Sequence, residues 1–310
     1  MPPAPPERVA YHNGEIKPES QVVVSFRDRG FKYGDAVFDA TRTFGGRPFR
    51  LEAHVERLYR SLRYVRIDPG IPPDEMIRIS KTVLERNLPL LAPGEDYWVS
   101  QRISRGVDAV GGELWQSAGG PTVIVECTPL PLRARARLFR DGIDVITPSV
   151  RRVPPECLSP NAKTHNYLNL VLGDLEARAH DANAWAVLLD GAGNLTEGIG
   201  SNVFIVERGR LFTPRAANVL AGVSRQTVLD LAARLGIPAA EEDISLYRAV
   251  NADEAFITST SLCLCGVRTI NHVTIGDGRV PGPITRRLTD AYREEVDYDF
   301  VDQYLKHLES

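Results

Sequence analysis

Long apolar runs are missing from this 310-residue chain; no stretch approaches the ~18 residues that would cross a membrane. Neither sign of charge dominates, with 37 basic against 40 acidic residues and a net charge of −3. The two signs are interleaved, which argues against a nucleic-acid footprint, since that requires a basic face or stripe. Cysteine is scarce. Cys127, Cys157, Cys263 and Cys265 are too few for a disulfide framework in a chain this long. Cys263 and Cys265 alternate within an apolar stretch and read as buried strand positions rather than metal ligands. Neither G-x-G-x-x-G nor G-x-x-x-x-G-K-S/T occurs, so the usual dinucleotide and P-loop signatures are absent. The opening MPPAPPE has neither the basic residues nor the apolar stretch of a signal peptide and reads as a short disordered lead. The expectation is a cytoplasmic globular protein with no metal, no nucleic acid and no membrane partner.

What is present is ordinary globular composition, 43% hydrophobic and 25% charged. Strand-like runs at Arg8–His12, Gln21–Phe26 and Val37–Phe44 are separated by turn signals at Asn13-Gly14 and Gly45-Gly46. From Leu51 the period changes: Leu51, Val55, Leu58, Leu62 and Val65 mark one face of an amphipathic helix. A second helix near Pro73–Asn87 precedes strands at Tyr97–Ile103 and Thr122–Cys127. Residues 128–137, TPLPLRARAR, show neither period and read as an interdomain linker. Beyond it, Gly142–Ser149 reads as a strand and Asn166–His180 as a helix with Leu168, Leu172, Leu175 and Ala179 inward. Trp185–Asp190 and Thr196–Val206 read as strands, the second long and returning. Ser224 is an N-cap candidate for a helix ending at Gly236, and Ala255–Thr260 is a last apolar strand. Strands and helices alternate in both halves. The class is α/β (mixed α and β) in two domains, 1–127 and 139–310, joined by an interdomain loop at 128–138.

Three features carry chemistry. Lys163, in SPNAKTHNYLNL, lies just before a helix; a lysine in that setting is ordinarily solvated, but Asn166 and Tyr167 follow within reach of a ring held on it. Glu197, in LTEGIGSNVFIV, stands in a strand beside Gly198 and Gly200, glycines that weaken a strand unless something approaches closely. Gly222-Val223-Ser224 opens a helix, whose unpaired N–H groups and dipole favour an anion. Arg57 adds a charge, and Thr260 a hydroxyl at a strand end. A lysine, an acid and an anion site are what a pyridoxal 5′-phosphate (PLP) enzyme requires for its ring aldehyde, ring nitrogen and phosphate.

On these residues the chain resembles the class IV aminotransferases, the fold-type IV PLP family. The matching stretches are DRGFKYGDAVFD, FRLEAHVERL, ISRG, NAKTHNYLNLVL, LDGAGNLTEGIGSNVFIV, LFTPRAANVLAGVSRQTVL and DEAFITSTS, in order across residues 10 to 290 or so. The resemblance implies a smaller N-terminal and a larger C-terminal α/β domain, the latter carrying the lysine, and a homodimer. It implies that Lys163 holds PLP as a Schiff base and acts as the general base, and that Glu197 partners the ring nitrogen. Arg57, Gly222, Val223, Ser224, Ser259 and Thr260 then fall at the phosphate end, and Tyr167 near the ring hydroxyl. Phe31, Tyr33, Phe38, Asp39, Arg42, Trp98, Ser100, Arg105, Ser261 and Leu262 fall at the substrate pocket.

The substrates implied are an amine donor and a 2-oxo acid, exchanged in ping-pong order. For the donor the signals diverge. Arg105 resembles the carboxylate-binding arginine of D-amino-acid enzymes, and RRVPPE (151–156) resembles (R)-amine transaminases, which use an arginine of the interdomain loop (here Arg133, Arg135 or Arg137) to accept a carboxylate. Arg42 matches some branched-chain enzymes, whereas Trp98 and Ser100 stand where those often have tyrosine and arginine. The Cys263–Gly266 run also departs from the family's usual sequence. A D-amino acid or (R)-amine donor comes first in this reading and an L-branched-chain amino acid second. A β-eliminating lyase of the aminodeoxychorismate type, or a PLP-binding homologue without turnover, complete the alternatives.

Overall fold

In the computed structural model residues 7–113 and 116–308 are described; most of the MPPAPPE lead lies outside them. Two units divide the chain: Met1–Leu130 with Ala162–Asn166, and Pro131–Asn161 with Tyr167–Ser310.

The first unit is built on a six-stranded sheet ordered β2-β1-β6-β5-β3-β4. Its strands are β1 (Val9–His12), β2 (Glu15–Pro18), β3 (Ala36–Phe44), β4 (Arg47–Pro48), β5 (Tyr97–Ser104) and β6 (Thr122–Pro129). The helices are α1 (Arg29–Tyr33), α2 (Leu51–Val65) and α3 (Pro73–Asn87). The predicted apolar stripe of α2 does its work: Leu51, Val55, Leu58 and Leu62 are buried with Val37, Val99, Ile103, Val125 and the inward residues of α3 in one core. The run Gln21–Phe26, expected as a strand, is instead a 3-10 turn at Glu19–Gln21 and a loop, with Val23 and Phe26 exposed. Unlike the neighbouring strands, it has no core to cover.

Strand alternation sorts β3 and β5 into two faces. The register sets Phe38 opposite Arg102, Ala40 opposite Ser100 and Arg42 opposite Trp98. Val37, Asp39 and Thr41 alternate with these and are buried.

Lys163 belongs with this unit and not, as expected, with the C-terminal one. The reason is backbone pairing: Phe38 N–H donates to the Lys163 carbonyl at 2.9 Å, and His165 N–H donates to the Ala36 carbonyl at 2.9 Å. Thr164 thereby bridges Val37 as an extra antiparallel rung.

The second unit holds a nine-stranded sheet whose main path runs β12-β11-β10-β13-β14-β7-β8. These strands are β7 (Ile143–Ile146), β8 (Trp185–Ala186), β9 (Glu197–Gly198), β10 (Ser201–Glu207), β11 (Arg210–Thr213), β12 (Ala239–Glu241), β13 (Glu254–Ser259), β14 (Cys263–Ile270) and β15 (Val273–Thr274). Its helices are α4 (Leu132–Asp141), α5 (Leu168–His180), α6 (Val223–Arg234), α7 (Leu246–Val250), α8 (Pro283–Val296) and α9 (Phe300–Leu305). Cys263 and Cys265 are buried in β14.

Three expectations change here. The predicted linker is the end of β6 followed by helix α4, because Leu132 and Ala136 bury at helical spacing while the arginines take the other faces. The predicted strand Thr196–Val206 is broken by a turn at Ile199-Gly200 into β9 and β10, which pair as a hairpin, Glu197 opposite Asn202. In α5 the inward residues are Leu170, Gly173 and Ala177, whereas Leu168, Leu172 and Leu175 are 70%, 48% and 59% exposed.

Candidate active site

Each unit supplies a cluster of the predicted residues. In the first, α2 carries Arg57 and, one turn on, Ser61. Ser61 Oγ accepts from the Lys163 N–H at 3.0 Å and donates to the Arg57 carbonyl at 3.0 Å. A single hydroxyl thus ties the lysine's backbone to the helix that bears the arginine.

Arg57 is buried and paired in bidentate fashion: Nε donates to Asp39 Oδ2 and Nη2 to Asp39 Oδ1, each at 2.8 Å. His54 Nδ1 lies 2.7 Å from Asp39 Oδ1, and since a carboxylate only accepts, this nitrogen carries the proton. Burial acts to raise the Asp39 pKa, but Arg57 and His54 overcome it and hold the carboxyl far below its usual range. Burial lowers the His54 pKa, against the pull of Asp39. Asp39, expected at the substrate pocket, therefore faces the helix as the counterion of Arg57; strand alternation puts its neighbour Phe38 on the other side.

On that other side Lys163 Nζ lies 4.4 Å from the Phe38 ring centroid, and Arg102 lies over the same ring at 5.3 Å. His165 meets Phe38 edge-on at 5.3 Å. Burial pushes the His165 pKa down to about 4, helped by the charges of Arg102 and Lys163. Its Nε2 is buried with no hydrogen-bond partner among the described residues. Trp98 and Ser100 share the Phe38 face by register.

In the second unit the β9–β10 hairpin presents Glu197, which is buried. Its Oε1 accepts from Arg152 Nε at 3.0 Å and its Oε2 from the Leu220 N–H at 2.9 Å. Asn202, opposite Glu197 in the hairpin, donates to the Leu220 carbonyl at 3.0 Å. Asn161 clasps the same loop, donating to the Ala216 carbonyl at 2.9 Å and accepting from the Ala221 N–H at 3.2 Å. This loop leads straight into Gly222, the N-cap of α6, where no side chain caps the helix. A Cβ at Gly222 would stand 2.2 Å from Asn202 Oδ1, so a larger residue there would displace the Asn202 side chain. Gly198 answers the expectation of close approach: a Cβ there would meet the Ala186 carbonyl oxygen at 2.6 Å, so the close neighbour is backbone.

Ser224 is thus not the N-cap but the second residue of α6, with its hydroxyl 3.5 Å from Tyr292 Oη. Tyr167 is the N-cap of α5 and packs on the small core of Ile146, Leu170 and Leu188. Ser259, Thr260 and Ser261 lie where β13 ends, with Thr260 alone of the three partly exposed.

Several expected pocket residues have other duties. Arg105 donates to both Asp35 oxygens, at 2.7 and 3.0 Å, and to the carbonyls of Val65 and Arg66, at 2.8 and 2.9 Å. It therefore satisfies C-terminal carbonyls of α2. Arg42 is buried, donating to the Thr43 carbonyl and lying 3.8 Å from Asp96. Leu262 is fully buried and Ser261 Oγ accepts from Arg135. Phe31 and Tyr33 stand exposed on α1. Arg133 and Arg137 are exposed on α4. His54 and Arg152 went unnoticed in the sequence; the i, i+3 spacing of His54 and Arg57 was a signal for the first.

The model of the amino-transferase class IV family matches residues 36–270. A provisionally named branched-chain-amino-acid aminotransferase of Methanocaldococcus jannaschii is 36% identical over 286 residues, 92% of this chain and 95% of that one. A D-alanine aminotransferase of Listeria innocua is 31% identical, covering 92% and 94%. Among solved structures, the branched-chain amino acid aminotransferase of Thermobaculum terrenum in its PLP form superposes with a TM-score of 0.81 at 27% identity, covering 97% of each chain. The chain belongs to the class IV aminotransferases, and it is a PLP-dependent enzyme of mixed α/β fold.

The donor set suits that cofactor. PLP needs an amine, an anion partner for its ring nitrogen and a cationic, N–H-rich end for its phosphate; Lys163, Glu197, and Arg57 with the uncapped α6 N-terminus are of those kinds.

Proposed function

We propose that this enzyme moves the amino group of an L-branched-chain amino acid to a 2-oxo acid. What carries the choice of donor is Arg105. A D-amino-acid reading would have it bind the substrate carboxylate, but its guanidinium is committed to Asp35 and the end of α2. The (R)-amine reading finds its candidate arginines on helix α4 rather than on a loop, with Arg135 donating to Ser261. The names of the relatives lean in the same direction.

Bound PLP supplies an electron sink for the bonds at the substrate's α-carbon. The chain supplies the rest. Lys163 Nζ takes the α-proton, since it is the amine nearest the Phe38 face. Glu197, kept in place by Arg152 and the Leu220 amide, offers the anion for the ring nitrogen. Arg57 and the α6 N-terminus hold the phosphate, with Val223, Ser224, Ser259 and Thr260 lining that end. Tyr167 would serve the ring hydroxyl, and Phe38, Trp98 and Ser100, which share one strand face, would line the substrate pocket. The homodimer is supported by the leucine stripe on α5, an apolar face too regular to leave in water. No helix among the described residues is long and apolar enough to cross a membrane, and a cytoplasmic setting is part of this reading.

The test is half-reaction bleaching of the cofactor's yellow band with L-leucine, D-alanine and both enantiomers of an aryl-alkyl amine. L-leucine should react at least tenfold faster than D-alanine, and Arg105→Met should leave that ratio unchanged. A D-alanine preference that Arg105→Met abolishes would restore the D-amino-acid reading.

A further inference from the structure

The strands β13 and β14 are joined by a three-residue loop, Thr260–Leu262, with Ser259 paired opposite Cys263. Cys263 has φ 60°. A left-handed backbone favours glycine, because a Cβ is strained there. A cysteine at that place needs outside support, and two side chains provide it. Tyr304 Oη, on α9, donates to the Ser261 carbonyl at 2.9 Å. Arg135, on α4, donates to Ser261 Oγ. Within the turn, Ser259 Oγ accepts from the Leu262 N–H at 3.1 Å and lies 3.4 Å from Ser261 Oγ.

Both supports are themselves fixed. The Tyr304 ring is fully buried and stacks on Phe139 at 4.5 Å, and the Arg135 guanidinium lies over Trp185 at 5.4 Å. Burial works against the Arg135 charge while a hydrogen bond to Tyr304 favours it, so the two residues also hold each other. As a result Ser259, Ser261, Leu262 and Cys263 are buried and Thr260 is the one residue of the turn left partly open.

We infer that Tyr304 and Arg135 are positioning residues that clamp this turn and so aim the Thr260 hydroxyl at the cofactor's phosphate. The inference rests on the phosphate role proposed above for Thr260. It makes the helix α9, remote in sequence from every other part of the site, a determinant of cofactor affinity.

The experiment is titration of the full-length apo-enzyme with PLP and, separately, with pyridoxal, which lacks the phosphate, both followed by absorbance. Tyr304→Phe keeps the ring and removes the hydroxyl; it should weaken PLP binding about tenfold and leave pyridoxal within twofold. Cys263→Gly added to Tyr304→Phe should recover at least half of the lost affinity, because glycine adopts the turn without support. Equal losses for both ligands, or unchanged PLP affinity, would overturn the inference. If Tyr304→Phe does not fold, Ser261→Ala, which removes the Arg135 acceptor and leaves both helices packed, must show the same selective loss. Thr260→Ala separates the two levels of the argument: if it leaves PLP selectivity over pyridoxal intact, the phosphate role of Thr260 fails; if it lowers selectivity and Tyr304→Phe does not, only the clamp fails.

Discussion

Around Arg57 the N-terminal unit uses charge: one buried carboxylate, Asp39, grips two guanidinium nitrogens and the His54 ring, with a hydroxyl from Ser61 carrying the arrangement to the Lys163 backbone. Around Glu197 the C-terminal unit uses backbone: a two-residue turn, an amide from Leu220, the Asn202 and Asn161 amide side chains, and a glycine packed against Asn202, with Arg152 added as an ion pair. The contrast shows two ways to immobilise a candidate site residue. A buried ion pair locks geometry strongly but fails badly when one member is removed. A network of backbone bonds shares the load, and single side-chain losses cost less.

The comparison can be broken in order of expected effect. Lys163→Ala tests the residue whose backbone the charged cluster anchors through Ser61: turnover should fall by ~10³-fold or more and the yellow band should vanish, read by steady-state assay and absorbance. Asp39→Asn comes next. It keeps the shape but leaves Arg57 buried beside a neutral group, so stability should drop by ~3–5 kcal/mol and PLP affinity by about a hundredfold, read by denaturant unfolding and cofactor titration.

That variant also has a pH signature. Asp39 has its folded pKa depressed, so its contribution is complete above the unfolded value of ~3.9 and is lost only as pH falls toward the folded one. The stability gap between wild type and Asp39→Asn should stay constant from pH 8 to pH 5 and shrink in stronger acid. A gap that closes near neutrality would contradict the charge-held account. The smallest effect belongs to Arg152→Met: with the Leu220 amide and the hairpin still in place, turnover should fall only about tenfold and melting should change little. A loss as deep as that of Asp39→Asn would mean that the C-terminal cluster is held by charge as well.

The sequence revealed much of this, and its failures have physical causes. The helix α2 was legible because only one of its faces is apolar, so the spacing of Leu51, Val55, Leu58 and Leu62 has a single reading. The helix α5 was misread because Leu168, Leu172 and Leu175 on one side and Leu170, Gly173 and Ala177 on the other both satisfy a helical period, and nothing local says which side meets a core. Helix α4 was hidden by its alternating arginines and alanines. Arg105 looked like a substrate ligand beside its glycine, since the carbonyls it serves lie some forty residues earlier in the chain.

From the sequence alone came the family, through its colinear motifs, and the candidate lysine, acid and helix start, because each is a matter of residue type and short-range order along the chain. The tertiary structure decided which way those side chains are held. Pairing Lys163's segment to β3, turning Asp39 toward Arg57, committing Arg105 to α2 and closing the Ser259–Cys263 turn from α4 and α9 all depend on contacts between residues far apart in the chain. Such contacts exist only once the sheets have set their register.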